Sequence, residues 1–445
     1  MGSTHLLSDS QIQQFITNGY LQLHVDCGPN FHQEVYQQIE SMFEGEGNVG
    51  NNILPRVPKI QRVFDHPALQ GALISLLGED YTMNPHRHCH LNAPGGGGQQ
   101  WHKDCYVFDH NIRHPRFHWI LAFYYPQDTN EDMGPTALLP GMHFCKSISN
   151  ADPKHATEPE ALLCGKAGTV TLVHFDAWHR ATKNRSTKKR YMLKFQFARM
   201  QEPHKPSWNH QQKIWRNSKK DEVSEDVWNW LGGSTNPIKN GSSLPNLINA
   251  MEQETLDSIG ETTAKTPDNL HGTNPTVGEA AQKLSFIGAP TVSELTEVLS
   301  SNPHWWIRSV AADILTKIGP SAETAIPTLA KHINDDHWWV RRNAIEALGT
   351  IGSFDSSTVK LLGQKLADPD YRVRRNAAIS LAKSGSQAST AIPMLKTTLN
   401  DEDRYNRFYA ALALRRINTN PAKEALLDDL FTSRWCPITT ADNLY

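Results

Sequence analysis

A 33-residue repeat fills the C-terminal third of the chain and constrains its fold more than any other feature. His304-Trp305-Trp306-Ile307-Arg308 returns as His337-Trp338-Trp339-Val340-Arg341. Val340-Arg341-Arg342-Asn343-Ala344 returns as Val373-Arg374-Arg375-Asn376-Ala377, and Arg407 and Ala410 keep the register. Gly319, Gly352 and Gly385 punctuate the pattern at the same interval, and Ala325-Ile326-Pro327 comes back two periods later as Ala391-Ile392-Pro393. One helical hairpin of this length cannot bury its apolar face alone, whereas stacked hairpins can, so the pattern predicts an all-α solenoid. Arg308, Arg341, Arg374 and Arg407 form a column expected to pair with aspartates of neighbouring repeats. Each tryptophan pair is expected to set one ring in the core and one against an adjacent repeat or the N-terminal domain.

The repeats resemble HEAT repeats of the short, lyase-associated kind, in which an acidic residue precedes Val-Arg and then Ala and Leu at helical spacing. The likeness runs over about residues 276–418, with 279–288 as a degenerate first repeat and 421–430 as a cap. Residues 230–275 are rich in Gly, Ser, Asn, Thr and Pro, a linker composition interrupted by one short helical stretch at 247–259. The expected domains are 1–235, a linker at 236–275, and a repeat domain at 276–445.

Upstream the pattern differs. Ser8 with Gln11 makes a capping box before Ile12, Phe15 and Ile16, and Gly19 stops that helix. Further helices are expected at 31–43 and 67–77, with a short strand at 20–23 between the first two. From Tyr81 to Met200 short strands alternate with turn residues, most clearly at 190–198, where Tyr191, Leu193, Phe195 and Phe197 alternate with Arg190, Met192, Lys194 and Gln196. Helices followed by evenly spaced antiparallel strands predict an α+β domain, a barrel or jelly roll with helices packed outside. Asp plus Glu number 46 against 44 Lys plus Arg, so no overall basic field exists for nucleic acid or an anionic membrane. The longest apolar runs fall far short of the roughly 20 residues of a membrane span. Six cysteines without a C-x-x-C and an opening without a secretory pattern lead to the expectation of a reducing, cytoplasmic location.

The chemistry concentrates around Gln100-Trp101-His102-Lys103-Asp104. In a strand His102 and Asp104 point the same way and can share a metal ion. In a chain with 21 histidines one H-x-D says little, and His174-Phe175-Asp176 is another. The first, however, is followed by His179 and, eleven residues later, Arg190 on the polar face of the last clear strand. Two imidazoles and a carboxylate on one triangle suit iron(II), and a guanidinium in the same cavity can clamp a carboxylate. His174 and Asp176 have no such follow-up and read as structural. His86, His88 and His90 share one strand face and Arg87, Cys89 and Leu91 the other; which face lines the cavity stays open, and rim histidines near a polar substrate are favoured over a second metal site.

At this point the chain resembles the phytanoyl-CoA dioxygenase family. The resemblance spans about residues 7–200: Leu7-Ser8-Asp9-Ser10-Gln11-Ile12 with Phe15 and Gly19-Tyr20, His66-Pro67-Ala68-Leu69 with Leu76-Leu77-Gly78, and Asn92-Ala93-Pro94-Gly95 running into the metal motif. Gly134-Pro135, Leu139-Pro140-Gly141-Met142-His143, His179 and Arg190 follow in order. It implies a double-stranded β-helix, Fe(II) held by His102, Asp104 and His179, and 2-oxoglutarate as cosubstrate, with Arg190 on its far carboxylate and Lys59 as a further contact. Arg180-Ala181 follow His179 where the family often has Gly-Ser, which leaves Thr182 as the nearest hydroxyl. Retention of Asp104 favours hydroxylation over halogenation. The leading expectation is a dioxygenase acting on an unactivated C–H bond of a small polar metabolite, with succinate and carbon dioxide released. The alternatives are hydroxylation of a protein side chain presented by the repeats, or an interaction scaffold carrying an inactive barrel. A protein partner on the repeats is a further expectation; nucleic acid and membrane are not expected partners.

Overall fold

Strand alternation organises the N-terminal half of the molecule. The computed structural model describes residues 5–104, 115–144, 159–212, 214–215, 222–234, 243–252, 275–352 and 354–432. Its contacts divide into two units, 1–288 and 289–445. The expected linker lies outside the described residues except for 243–252 and Pro275. Most of 243–252 is the helix Leu244–Glu252, which packs against the helix Pro275–Ile287.

In the first unit, α1 (Asp9–Asn18) opens on the expected capping box. The Ser8 side chain accepts from the Gln11 amide, and the Gln11 side chain accepts from the Ser8 amide at 3.0 Å. Helices α2 (Phe31–Glu46), α3 (Ile53–Arg56), α4 (Ile60–Phe64) and α5 (Pro67–Leu77) alternate with or precede strands β1 (Tyr20–His24) and β2 (Tyr81–Asn92). Then come β3 (Trp119–Tyr125), β4 (Thr136–Leu138), β5 (Ala161–Leu162), β6 (Thr169–His174), β7 (His179–Ala181) and β8 (Arg190–Arg199). They form a five-stranded sheet in the order β1-β6-β3-β8-β2 and a three-stranded sheet in the order β5-β4-β7. All these pairings are antiparallel, and the architecture is α+β, a double-stranded β-helix with helices outside.

Alternation assigns each strand residue to one of two cores. Ile120, Ala122, Tyr124, Val170, Leu172, Tyr191, Leu193, Phe195 and Phe197 join the apolar residues of α1, α2 and α5 in one cluster. Leu121, Phe123, Tyr125, Val173 and Met192 face the other way, where they meet Leu138 of the smaller sheet. All ten residues of β8 are buried, so the polar face carrying Arg190, Lys194 and Gln196 is the interior wall of the barrel and not a solvated surface.

In the second unit the helices Trp305–Ile318, Trp338–Ile351, Tyr371–Ser384 and Arg404–Ile417 recur at the repeat period and pack in succession, with shorter helices between them. Arg308 forks onto Asp335, with both bonds at 2.9 Å; Arg341 does the same to Asp368, and Arg374 pairs with Asp401. Arg407 turns instead to the backbone carbonyls of Asp401 and Glu402. Trp306 and Trp339 are buried in the core. Trp305 stacks on His337 of the next repeat at 3.7 Å, and Trp338 lies under the Arg372 guanidinium.

Candidate metal centre

The loop ahead of residue 105 runs beside β7. His102 N–H donates to His179 O and His179 N–H donates to His102 O, both at 3.0 Å, an isolated antiparallel bridge. A reciprocally bonded pair sends its two side chains to the same face. The rings accordingly lie 4.4 Å apart between centroids. Asp104, two residues on, joins them: one donor atom from each of His102, Asp104 and His179 lies within 4.8 Å of the others, the one such grouping among the described residues.

Second contacts orient these donors. The Nδ1 of His102 faces Gln100 O at 2.9 Å and that of His179 faces Ala177 O at 3.0 Å. A carbonyl only accepts, so each Nδ1 carries the proton and each Nε2 presents its lone pair inward. His179 Nε2 lies 3.8 Å from Asp104 Oδ1. The other carboxylate oxygen, Oδ2, accepts from Lys194 Nζ at 2.8 Å. Burial would raise the Asp104 carboxyl, but the Lys194 ammonium, His179 and His102 outweigh it and hold it below the usual carboxylate range. Burial pushes His179 down to about 4, partly opposed by the Asp104 carboxylate, so it is neutral at physiological pH. Two imidazoles and one carboxylate fit a divalent iron with sites left open.

Arg190 opens β8 on the same interior face, 1% exposed. Its Nε and Nη2 donate to Gly134 O at 3.1 and 2.6 Å. Gly134 is itself held by Asn92, whose Nδ2 donates to Gly134 O and Thr182 O at 3.1 and 3.0 Å. The Thr182 hydroxyl donates to Pro135 O at 2.6 Å. Lys59 stands apart: its ammonium pairs with Glu34 at 2.5 Å, with the two side chains 40% and 49% exposed. No described contact joins it to the cluster. His174 accepts the Asp176 N–H on Nδ1 and faces Pro115 O through Nε2, with its ring packed on Phe117 and His143, a structural setting as expected.

The register of β2 on β8 resolves the histidine strand. Asn92 lies opposite Arg190, His90 opposite Met192 and His88 opposite Lys194, whereas Cys89 enters the helix-side core. His88 and His90 therefore face the interior. Lys194 is the site residue that motif reasoning passes over. Its signal was its position four residues beyond Arg190 on one strand face.

Residues 30–192 match the family described as phytanoyl-CoA dioxygenase (PhyH), and residues 292–362 and 359–435 match HEAT repeats. A protein of Stutzerimonas stutzeri named "Probable alpha-ketoglutarate-dependent hypophosphite dioxygenase" is 27% identical over 188 residues, which cover 37% of this chain and 62% of that protein. The chain thus spans less than two thirds of that relative's length. Among solved structures, EctD from S. alaskensis with 2-oxoglutarate and 5-hydroxyectoine is 16% identical with a TM-score of 0.38, covering 50% of this chain and 89% of its own. The non-heme alpha ketoglutarate dependent carbocyclase SnoK from nogalamycin biosynthesis is 15% identical with a TM-score of 0.36, covering 44% and 85%. Motif order, barrel and profile converge on one assignment: residues 30–192 are a phytanoyl-CoA dioxygenase family domain, followed at 292–435 by HEAT repeats.

Proposed function

We propose that the N-terminal unit is a non-haem Fe(II)- and 2-oxoglutarate-dependent dioxygenase that hydroxylates an unactivated C–H bond of a small polar metabolite, releasing succinate and carbon dioxide. The observation that carries this reading is the meeting of His102, Asp104 and His179 on the wall that also holds the buried Arg190. Ferrous iron in such a site supplies the oxidising chemistry. The chain's own residues bind and aim: His102 and His179 are tautomer-locked through their Nδ1 protons, and Asp104 brings the single negative charge. Gly134 O takes two Arg190 donors and leaves the Nη1 edge of the fork for the far carboxylate of 2-oxoglutarate. Lys59 has no part in this reading, because its ammonium is held by Glu34 on an exposed surface. The relative named for hypophosphite supports a small substrate. The HEAT repeats serve in this reading as a protein-docking surface.

Anaerobic addition of Fe(II) and 2-oxoglutarate is expected to produce a weak visible charge-transfer band, lost in Asp104→Ala and weakened in Arg190→Ala. A parent protein with neither the band nor succinate formation would refute the reading and leave the interaction scaffold in its place.

A further inference from the structure

The strand contact that unites the metal donors carries an irregularity. Gln99 N–H donates to Ala181 O at 2.8 Å, and the next backbone bonds along β7 are the reciprocal pair between His102 and His179 at 3.0 Å. Three steps of the loop thus span two steps of β7, and Gln100 and Trp101 together oppose Arg180, which is a β-bulge. A one-residue slip that absorbed the bulge would restore a regular ladder. It would also turn the His102 ring away from His179 and Asp104, because side chains alternate across a strand. Backbone bonds are blind to sequence, so side chains must select the bulged register.

The selecting contact lies on the outer face. Arg180 follows His179 and therefore points to the opposite side of β7. There its guanidinium carbon lies 4.9 Å from the centroid of the Trp101 ring, within the range of a cation–π contact. Arg180 Nη2 donates to Glu160 at 2.8 Å. Arg180 Nε has no hydrogen-bond partner among the described residues, so the guanidinium is placed by the ring as much as by the carboxylate. Ala137 of β4 lies opposite both Arg180 and Leu162 of β5, and its methyl group leaves the Arg180 side chain free to cross β4 toward Glu160. Trp101, Arg180 and Glu160 thus tie the metal-bearing loop, β7 and the residue ahead of β5 together on the face away from the metal donors. The same slip that turns His102 out would turn Trp101 in, off the guanidinium.

We infer that Trp101 and Arg180 are positioning residues for the metal centre: their contact on the outer face selects the register in which His102 faces His179, and Glu160 steadies the guanidinium. The inference rests on the dioxygenase reading and names residues that act on its metal site through His102 and His179.

Two measurements on the full chain test it. Calorimetry with Mn(II) alone reads the metal site. Trp101→Leu removes the ring and Arg180→Met the cation, and each is expected to weaken Mn(II) about 10-fold, the low end of the cost of losing a group that supports a metal ligand. The double variant should bind no more weakly than the single ones, because either change breaks the same contact. Trp101→Phe keeps a π face and should stay within about 3-fold of the parent. Hydrogen exchange on the metal-free chain reads the register. In both single variants the amides of His102 and His179 should exchange about 2- to 5-fold faster, the factor a partly exposed cation–π contact provides, while the amides that join β3 to β8 keep parent rates. Parent-like Mn(II) affinity in either single variant overturns the inference, as do losses that multiply in the double variant, a Trp101→Phe no better than Trp101→Leu, or bridge amides that keep parent rates. A speed-up shared by β3 and β8 also overturns it and makes the pair a general stabiliser. A parent chain that takes up no Mn(II) defeats the dioxygenase reading, whereas a parent and variants that bind it equally well defeat only this inference.

Discussion

Removing Asp104 from the metal-free protein should destabilise the barrel through the cation it leaves behind. Asp104 and Lys194 are 3% and 6% exposed and 2.8 Å apart, so Asp104→Ala removes the carboxylate bonded to a buried ammonium. Breaking one side of a buried pair costs about 3–5 kcal/mol. Lys194→Met removes the ammonium bonded to the carboxylate and should cost a similar amount. The double variant Asp104→Ala/Lys194→Met removes both partners and should cost only about 1–2 kcal/mol, the lost hydrogen bond less the gain from an apolar replacement. The coupling between the two sites is therefore expected to be at least about 4 kcal/mol. Native-state hydrogen exchange on peptides covering β8, in chelator-treated full-length protein, measures each free energy locally and is not confused by the second unit. Single-variant effects that add to within about 0.5 kcal/mol would refute the proposed electrostatic dependence and show that the two groups do not stabilise one another as the structure places them.

Two further outcomes are expected. Gly134 has φ +67°, and a Cβ there would lie 2.7 Å from Thr182 O and 2.8 Å from Asn184 N, atoms of a backbone that cannot give way cheaply. Gly134→Ala should therefore cost about 2–3 kcal/mol of stability and, by shifting the carbonyl that aims Arg190, weaken 2-oxoglutarate binding in calorimetry; unchanged binding would detach Gly134 from Arg190's role. In the solenoid, burial pushes His337 down to about 4 against the pull of Asp335, and its neutral Nδ1 accepts the Trp339 N–H at 3.2 Å. A base depressed in the folded state binds fewer protons than the unfolded chain, so this contribution is intact above about pH 6.5 and is lost as pH falls toward 4. The parent should lose about 1–2 kcal/mol more than His337→Gln between pH 7 and 4.5 in urea denaturation, and parallel losses would refute the assignment.

Sequence legibility followed the range of the interactions. The capping box at Ser8, the helix Pro67–Leu77 and the period of the long solenoid helices are local features, readable from neighbours three, four or 33 residues apart. The Arg308, Arg341 and Arg374 pairs were legible for the same reason: a repeat places each aspartate at a constant offset from its arginine. The set His102, Asp104, His179 and Arg190 was legible as an ordered motif, and the structure brings its three donors together. Lys59 carried no such anchor, and its ammonium went to the nearest exposed carboxylate.

By itself the sequence determined which residues share a face, because a strand alternates at period two and a helix at 3.6 whatever surrounds them. It could not determine what each face meets. Alternation alone marks the Lys194 and Gln196 side of β8 only as polar, and closure of the smaller sheet over it makes that side the interior of the barrel. The orientation of His88 and His90 and the pairing of Lys194 with Asp104 likewise depend on the register of β2 against β8 and on a loop 90 residues away in the chain. Periodicity is a property of the backbone, whereas environment is set by contacts between distant segments, and only the tertiary structure decides those.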